Sequence, residues 1–211
     1  MFTGITRGTF KVVGVDRRPG LLAYEVELDD DLVLGLVPGA SVSIDGVCQT
    51  VVAVSGHRVS FDAIQATLDL TTLAELEVGS RVAVERSVQV GDEIGGHDVA
   101  GHVIGTGRVS DVQRNGPICN LIISVAAEWM NYILPKGFIA VDGSSLTVGE
   151  VDSAGSFALH LIPETLRLTN LGDKQPGDRV NIELDPRTVA IVDTVERVME
   201  QRLSSKERGE T

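Results

Sequence analysis

The chain has 211 residues, of which 43% are hydrophobic, 23% charged and only 4% aromatic, with a formal net charge of −12 at pH 7. An acidic surface without clustered Lys and Arg, and with few aromatic rings to stack on bases, excludes nucleic acid as a partner. No stretch approaches the ~20 apolar residues of a membrane helix, and the two cysteines, Cys48 and Cys119, form no C-x-x-C pair, so neither a zinc site nor a disulfide framework is expected.

The chain opens with MFTGITRG, which has no secretory pattern, and the cytoplasm is the expected compartment. Short runs rich in Val, Ile and Thr follow at residues 10–15, 40–44, 50–54, 59–63 and 81–84, in a stretch punctuated by Gly, Asp and Pro in the manner of short strands. A helical turn is predicted over 30–36, and another opens at Thr67. A second series of strands is predicted at 108–112, 119–125, 137–141, 146–151, 157–162 and 179–184, with helical turns at 126–134 and from Thr165. About six strands per half suit a small closed antiparallel barrel, which leaves no sheet edge exposed. From Thr188 to Leu203 the chain reads TVAIVDTVERVMEQRL, and Ile191, Val192, Val195, Val198, Met199 and Leu203 recur at helical spacing. Such a helix must bury its apolar stripe, either back on a barrel or against other copies of the chain. The end, SSKERGET, reads as a frayed tail.

The two halves are versions of each other. Residues 65–85, QATLDLTTLAELEVGSRVAVE, reappear 98 positions later as PETLRLTNLGDKQPGDRVNIE over 163–183. At an offset of 97, Asp45-Gly46-x-Cys48-x-Thr50-Val51 faces Asp142-Gly143-x-Ser145-x-Thr147-Val148, and Gly4-x-x-x-Gly8-Thr9 faces Gly101-x-x-x-Gly105-Thr106. A near-constant offset over separated blocks implies two like domains with two like pockets, divided near residues 88–93.

Two groups of residues could carry chemistry. Residues 95–102, GGHDVAGH, set His97 and His102 five apart among glycines that let backbone approach a ligand. That spacing is not the helical i, i+4 pairing of zinc motifs, and the bland alternative is an exposed glycine loop; His57 and His160 read as structural. The Asp-Gly turns precede strands on which Cys48 and Thr50, or Ser145 and Thr147, share one face. Each is either a pocket group or a satisfied core or turn residue. No catalytic serine signature, phosphate loop or dinucleotide fingerprint is present.

MFTGI, IDGVCQTV, GGHDVAGHV, GFIAVDGSSLTVGEV, HLIPETLRLTNLG and GDRVNIELDPRTVAIVDTVERV together resemble the riboflavin synthase family over essentially the whole chain. The resemblance implies an all-β fold with a C-terminal helix: two tandem six-stranded antiparallel Greek-key barrels at 1–90 and 91–186, a trimerisation helix at 187–205 and a frayed tail at 206–211. It also implies dismutation of two 6,7-dimethyl-8-ribityllumazine molecules to riboflavin and 5-amino-6-ribitylaminouracil. By the same resemblance, no cofactor and no metal are expected to take part. The expected partners are lumazine substrate, riboflavin product, two further copies in a homotrimer, and lumazine synthase. Each active site would lie between the N-terminal barrel of one subunit and the C-terminal barrel of another.

Carried over by motif, Gly4, Ile5, Thr6, Cys48, Gln49, Thr50, Asp62, Ala63, Ile64, Gln65, Ala66, Thr67, Gly101, His102 and Val103 would line the N-terminal pocket, with Phe2 and Thr3 near the substrates. Lys136, Ser145, Leu146, Thr147, Leu161, Ile162, Pro163, Glu164, Thr165 and Leu166 would line the C-terminal one. His102 is the first choice for proton transfer, with Ser41, Cys48, Ser145 and Thr147 as polar partners or nucleophile-positioning groups, Asp185 as an orienting carboxylate and His97 as support. The first repeat departs from the family pattern at Asp45, Gln49, Ala66 and Asp69. That drift leaves an alternative open, a binding-only relative of the lumazine-protein type.

Overall fold

The computed structural model describes residues 1–207; residues 208–211, the end of the expected tail, lie outside the described residues. Strands β1 (Gly8–Arg18), β2 (Leu21–Glu27), β3 (Ser41–Ile44), β4 (Val47–Ser55), β5 (Arg58–Ile64) and β6 (Arg81–Arg86) close into a barrel in the order β1-β2-β5-β4-β3-β6. Strands β7 (Gly105–Asn115), β8 (Ile118–Ser124), β9 (Phe138–Val141), β10 (Ser144–Asp152), β11 (Ser156–Leu161) and β12 (Arg179–Leu184) form a second barrel of the same circular order, β10-β11-β8-β7-β12-β9. All neighbouring pairs are antiparallel. The expected fold class therefore holds.

Alternation decides which face of each strand enters a core. In β2, which the sequence reading does not single out, Leu22, Tyr24 and Val26 are buried while Ala23 and Glu25 lie outward. Tyr24 stacks on Phe61 of β5 with ring centroids 5.4 Å apart. Val42, Ile44, Val47, Val51, Val82 and Val84 complete this core, and Leu121, Ile123, Ile139, Val148, Phe157 and Ile182 occupy the other. At ~25 cal/mol per Å² of apolar surface removed from water, these inward rows supply the main drive to close each barrel.

The helical turns expected at 30–36 and 126–134 are shorter than expected, and those expected to open at Thr67 and Thr165 begin two residues earlier. Helix α1 (Asp30–Val33) is capped by the Asp29 carboxylate, which accepts the Leu32 N–H at 3.0 Å. Residues 126–134 form no α-helix but a 3₁₀ segment, Ala127–Tyr132. Helices α2 (Gln65–Leu70) and α3 (Pro163–Leu168) occupy equivalent places after β5 and β11. Helix α4 (Pro186–Glu207) begins and ends beyond its expected limits, so its last turn takes in residues 206 and 207 of the expected tail. Proline is tolerated at the first helical position, and the Asp185 carboxylate fixes the start by accepting the Thr188 amide at 3.0 Å and hydroxyl at 2.6 Å.

The barrels meet about a local twofold relation. Phe2 and Val99, equivalent positions in the repeat, exchange backbone hydrogen bonds of 2.7 and 3.1 Å. Gly46 and Gly143, also equivalent, pack backbone against backbone. Around them Asn181 donates to the Asp45 carbonyl at 2.7 Å, Asn170 to the Asp45 carboxylate at 3.0 Å, and Lys174 pairs with Asp142 at 2.9 Å. Leu76 stands where the first repeat would need a second lysine, so two buried aspartates share one cation.

Candidate functional site

Because Val42, Ile44, Val47 and Val51 point into the first core, Ser41, Cys48 and Thr50 stand on the outside of that barrel. Register places Glu85, Ser43 and Cys48 in one lateral row on this outer face, with Ser41 beside Thr50. In the second barrel the equivalent row is Glu183, Ala140 and Ser145, with Phe138 beside Thr147. The shared face predicted for Cys48 and Thr50, and for Ser145 and Thr147, is thus an outer wall.

Each row is covered by a segment leading into the other barrel. The Ser145 N–H donates to the Gly4 carbonyl at 2.8 Å, and the Cys48 N–H donates to the Gly101 carbonyl at 2.9 Å. Both glycines have positive φ, +74° and +78°, and a Cβ on either would stand about 2.5 Å from Ser145 Cβ or 2.6 Å from Cys48 Cβ. Only glycine permits so close a crossing. Val103 packs against the first core, and the Thr6 hydroxyl donates to the Leu168 carbonyl at 3.4 Å in the second half. Gly4, Ile5 and Thr6 consequently belong with the C-terminal pocket, which corrects their expected place in the N-terminal one. The arms exchange barrels, a feature that linear spacing cannot reveal.

The second barrel carries two adjoining hollows. One, of about 190 Å³, lies among Gly4, Ile5, Thr6, Ser144, Ser145, Leu146, Ile162, Glu164, Thr165 and Leu168. The other, of about 330 Å³, extends over Lys136, Leu146, Thr147, His160, Leu161, Ile162 and Thr165. Apolar walls with a few convergent hydroxyls and backbone groups suit an amphiphilic ring system with a polar chain. Among the predicted residues of this half, Ser145, Leu146, Thr147, Leu161, Ile162, Glu164, Thr165 and Lys136 border the hollows, although Leu161 also contributes its side chain to the core. Pro163 starts α3, and Leu166 packs on the core.

By the repeat, the first barrel presents Cys48, Thr50, Ile64, Gln65, Ala66 and Thr67 beneath Gly101, His102 and Val103. Two of its predicted binding residues face elsewhere. Gln49 is buried inside the barrel, where it accepts from the Tyr24 hydroxyl at 3.2 Å and donates to the Cys48 carbonyl at 3.0 Å; Ala63 fills the same core. Asp62 is exposed on β5. The α2 and α3 faces also differ: Gln65 binds Asp69 at 2.6 Å, whereas Arg167 clasps Glu164 at 2.6 and 2.9 Å.

Phe2 is fully buried at the crossing and Thr3 lies beside it, so both are structural anchors of the arm. His97 lies in the second arm. Its Nδ1 is 2.7 Å from Ser145 Oγ, its ring stacks on Phe138 at 5.1 Å, and its buried Nε2 has no hydrogen-bond partner among the described residues. Burial pulls the imidazole below its ordinary pKa, against the opposing pull of Asp185 and Asp98, and so favours the neutral ring. A neutral ring beside a hydroxyl can accept or donate a proton. Asp185 shares a hollow of about 210 Å³ with His97, Asp98, Phe138 and Arg187. Burial raises its carboxyl, but the Thr188 and Arg187 donors outweigh that and hold it low. Its carboxylate is committed to the start of α4. His102 is exposed, while its own N–H is fixed by Glu183 at 3.1 Å.

Sequence reading missed Glu85 and Glu183 as site residues, although their identity in the repeats was the available signal. Each is buried and collects donors from an arm: Glu85 from the Thr3 amide and hydroxyl and the Gly4 amide, Glu183 from the Ala100, Gly101 and His102 amides. Burial raises both carboxyls, and these donors oppose the shift.

Comparison with known proteins agrees with this architecture. The family model for the lumazine binding domain matches residues 3–87 and again 100–185. The riboflavin synthase of Escherichia coli is 49% identical over 203 residues, covering 96% of this chain and 95% of that protein. That of Chlamydia pneumoniae is 40% identical over 199 residues, covering 94% and 97%. The structure of LumP complexed with riboflavin superposes with a TM-score of 0.81 at 26% identity, covering 87% of this chain and 99% of that one. LumP complexed with 6,7-dimethyl-8-(1'-D-ribityl) lumazine gives 0.79 at 25% identity, with the same coverage. With both halves matched and the identity extending over nearly the full length, the chain belongs to the riboflavin synthase family and carries two copies of its lumazine-binding domain.

Proposed function

We propose that this chain catalyses riboflavin synthesis by dismutation: two 6,7-dimethyl-8-ribityllumazine molecules enter, a four-carbon unit passes from one to the other, and riboflavin and 5-amino-6-ribitylaminouracil leave. The observation that carries this reading is the duplication of one pocket plan, two outer walls each covered by a glycine arm from the other half. A reaction between two identical molecules needs two such sites. In this reading the hollows over Ser145 to Thr147 hold one lumazine, with backbone groups reading the ring edge and Thr165 near the ribityl hydroxyls. The Cys48 wall beneath Gly101 to Val103 holds the other.

The reaction loses a proton from one 7-methyl group and needs a nucleophile on the partner's ring carbon. His102, exposed at the mouth of the first wall, is assigned to proton transfer, and the His97–Ser145 pair supplies a hydroxyl with a neutral imidazole behind it. Ser41, Cys48, Thr50 and Thr147 add polar groups on the same walls. Holding two substrates in reacting geometry can itself contribute up to ~7–11 kcal/mol. Helix α4, whose Ile191, Val195, Val198, Met199 and Leu203 are all exposed, assembles three copies in this reading, so that each site joins the first barrel of one copy to the second barrel of another. Association with lumazine synthase remains part of it.

Incubating the purified protein with 6,7-dimethyl-8-ribityllumazine and following riboflavin absorbance tests the reading. Accumulation of riboflavin supports it. Tight binding without product would instead favour a binding-only relative, the reading suggested by Ala66 and Asp69 standing where the second repeat has Glu164 and Arg167.

A further inference from the structure

Glu183 closes the second barrel's outer row, next to Ala140 and, beyond it, Ser145. It is only 5% exposed, yet among the described residues no Lys or Arg side chain pairs with its carboxylate. Three consecutive backbone amides do so instead: Ala100 at 2.7 Å to Oε1, Gly101 at 2.9 Å and His102 at 3.1 Å to Oε2. A buried carboxylate is costly unless its acceptors are filled, so the side chain and the arm can satisfy each other only in this one arrangement. The same arm then reaches the opposite barrel, where the Gly101 carbonyl accepts the Cys48 N–H at 2.9 Å. One carboxylate thereby sets the height of Gly101 over the Cys48 strand and the point from which the His102 imidazole leaves the backbone.

We propose that Glu183 is a positioning residue for the reaction, acting through the Ala100 to His102 backbone it clamps rather than by touching substrate. This rests on the functional reading above, in which His102 transfers a proton. Glu85 repeats the device on the other arm, holding Thr3 and Gly4 over Ser145. Replacing Glu183 by Gln keeps size and one acceptor oxygen but puts a donor against amide donors. The arm loses its fixed place while the barrel, whose core lies on the other face of β12, keeps its packing.

The test combines steady-state turnover of 6,7-dimethyl-8-ribityllumazine with amide resonances of Ala100, Gly101 and His102 in the intact protein. Glu183→Gln is expected to lower kcat by about 10²-fold with little change in KM, as expected for a displaced reacting group, and to shift or broaden those three amides while β8 and β11 stay unchanged. Unmoved amides, or moved amides with unchanged kcat, would overturn the proposal. Should Glu183→Gln fail to fold, Glu183→Asp, which keeps the charge but withdraws it by one methylene, is measured in the same way against the same two criteria. His102→Gln separates this proposal from the reading beneath it: full turnover in that variant removes His102 from proton transfer, whereas the clamp is judged by the amides and kcat of the Glu183 variants.

Discussion

At position 101 the absence of a side chain decides what can stand over the first barrel's outer wall. With φ at +78° and Cys48 Cβ only 2.6 Å from where a Cβ would be, Gly101→Ala must push the arm away. The expected cost is about 1–3 kcal/mol of stability, measured by urea unfolding, together with loss of turnover. Asp45 makes a different contribution. Burial, and then the nearby Asp142, push its carboxyl up to about 7, against the opposing effect of Lys174 and its hydrogen bonds. A carboxyl that holds its proton more tightly folded than unfolded stabilises fully below its unfolded value of 3.8, and that stability is lost as pH rises through about 7. Across about pH 4 to pH 8 the urea midpoint of the native protein should therefore fall relative to that of Asp45→Asn. Parallel curves would contradict the shared-cation account of this interface. The candidate residues Cys48, Ser145, His97 and His102 were legible in the sequence because they sit in repeated or glycine-dense motifs. Gln49 was not, since adjacent strand residues face opposite sides and the motif alone does not say which side is the pocket.

Among the elements, the strands were legible wherever β-branched residues alternate, and α4 wherever apolar residues recur at helical spacing. The helical turn expected at 126–134 is a 3₁₀ segment, Ala127–Tyr132; with no side-chain cap at Ala126, nothing local favours a longer helix. Helix α4 touches the body near its start, through Val189 on the second core and Asp193, which accepts from the Tyr132 hydroxyl at 2.7 Å. Its other apolar residues are open: Ile191, between those two contacts, and Met199 and Leu203 farther along are about 60% exposed. An apolar stripe left open on that scale is what the proposed assembly through α4 would cover. On the proposed assembly of three copies, the full chain is expected to sediment as a trimer in analytical ultracentrifugation and a chain ended after Pro186 as a monomer; an unchanged sedimentation mass would refute a role for α4 in assembly.

Across the whole molecule, duplication was legible from the offsets of 97 and 98, but the exchange of arms was not. Gly4 meets Ser145 and Gly101 meets Cys48 only because the halves face each other about the Phe2–Val99 and Gly46–Gly143 contacts. Repeat alignment pairs like with like and says nothing of which copy covers which. The exchange makes the two covered walls interdependent, since neither barrel alone supplies both wall and cover. It also leaves the two walls unequally covered, with Ile5 in one arm and His102 at the equivalent place in the other. The claim that these two sites serve one dismutation is tested most directly by chromatographic analysis of products from pure 6,7-dimethyl-8-ribityllumazine as sole substrate. The account predicts riboflavin and 5-amino-6-ribitylaminouracil in equal amounts, with two lumazines consumed for each riboflavin; lumazine recovered intact from a protein that binds it would contradict it.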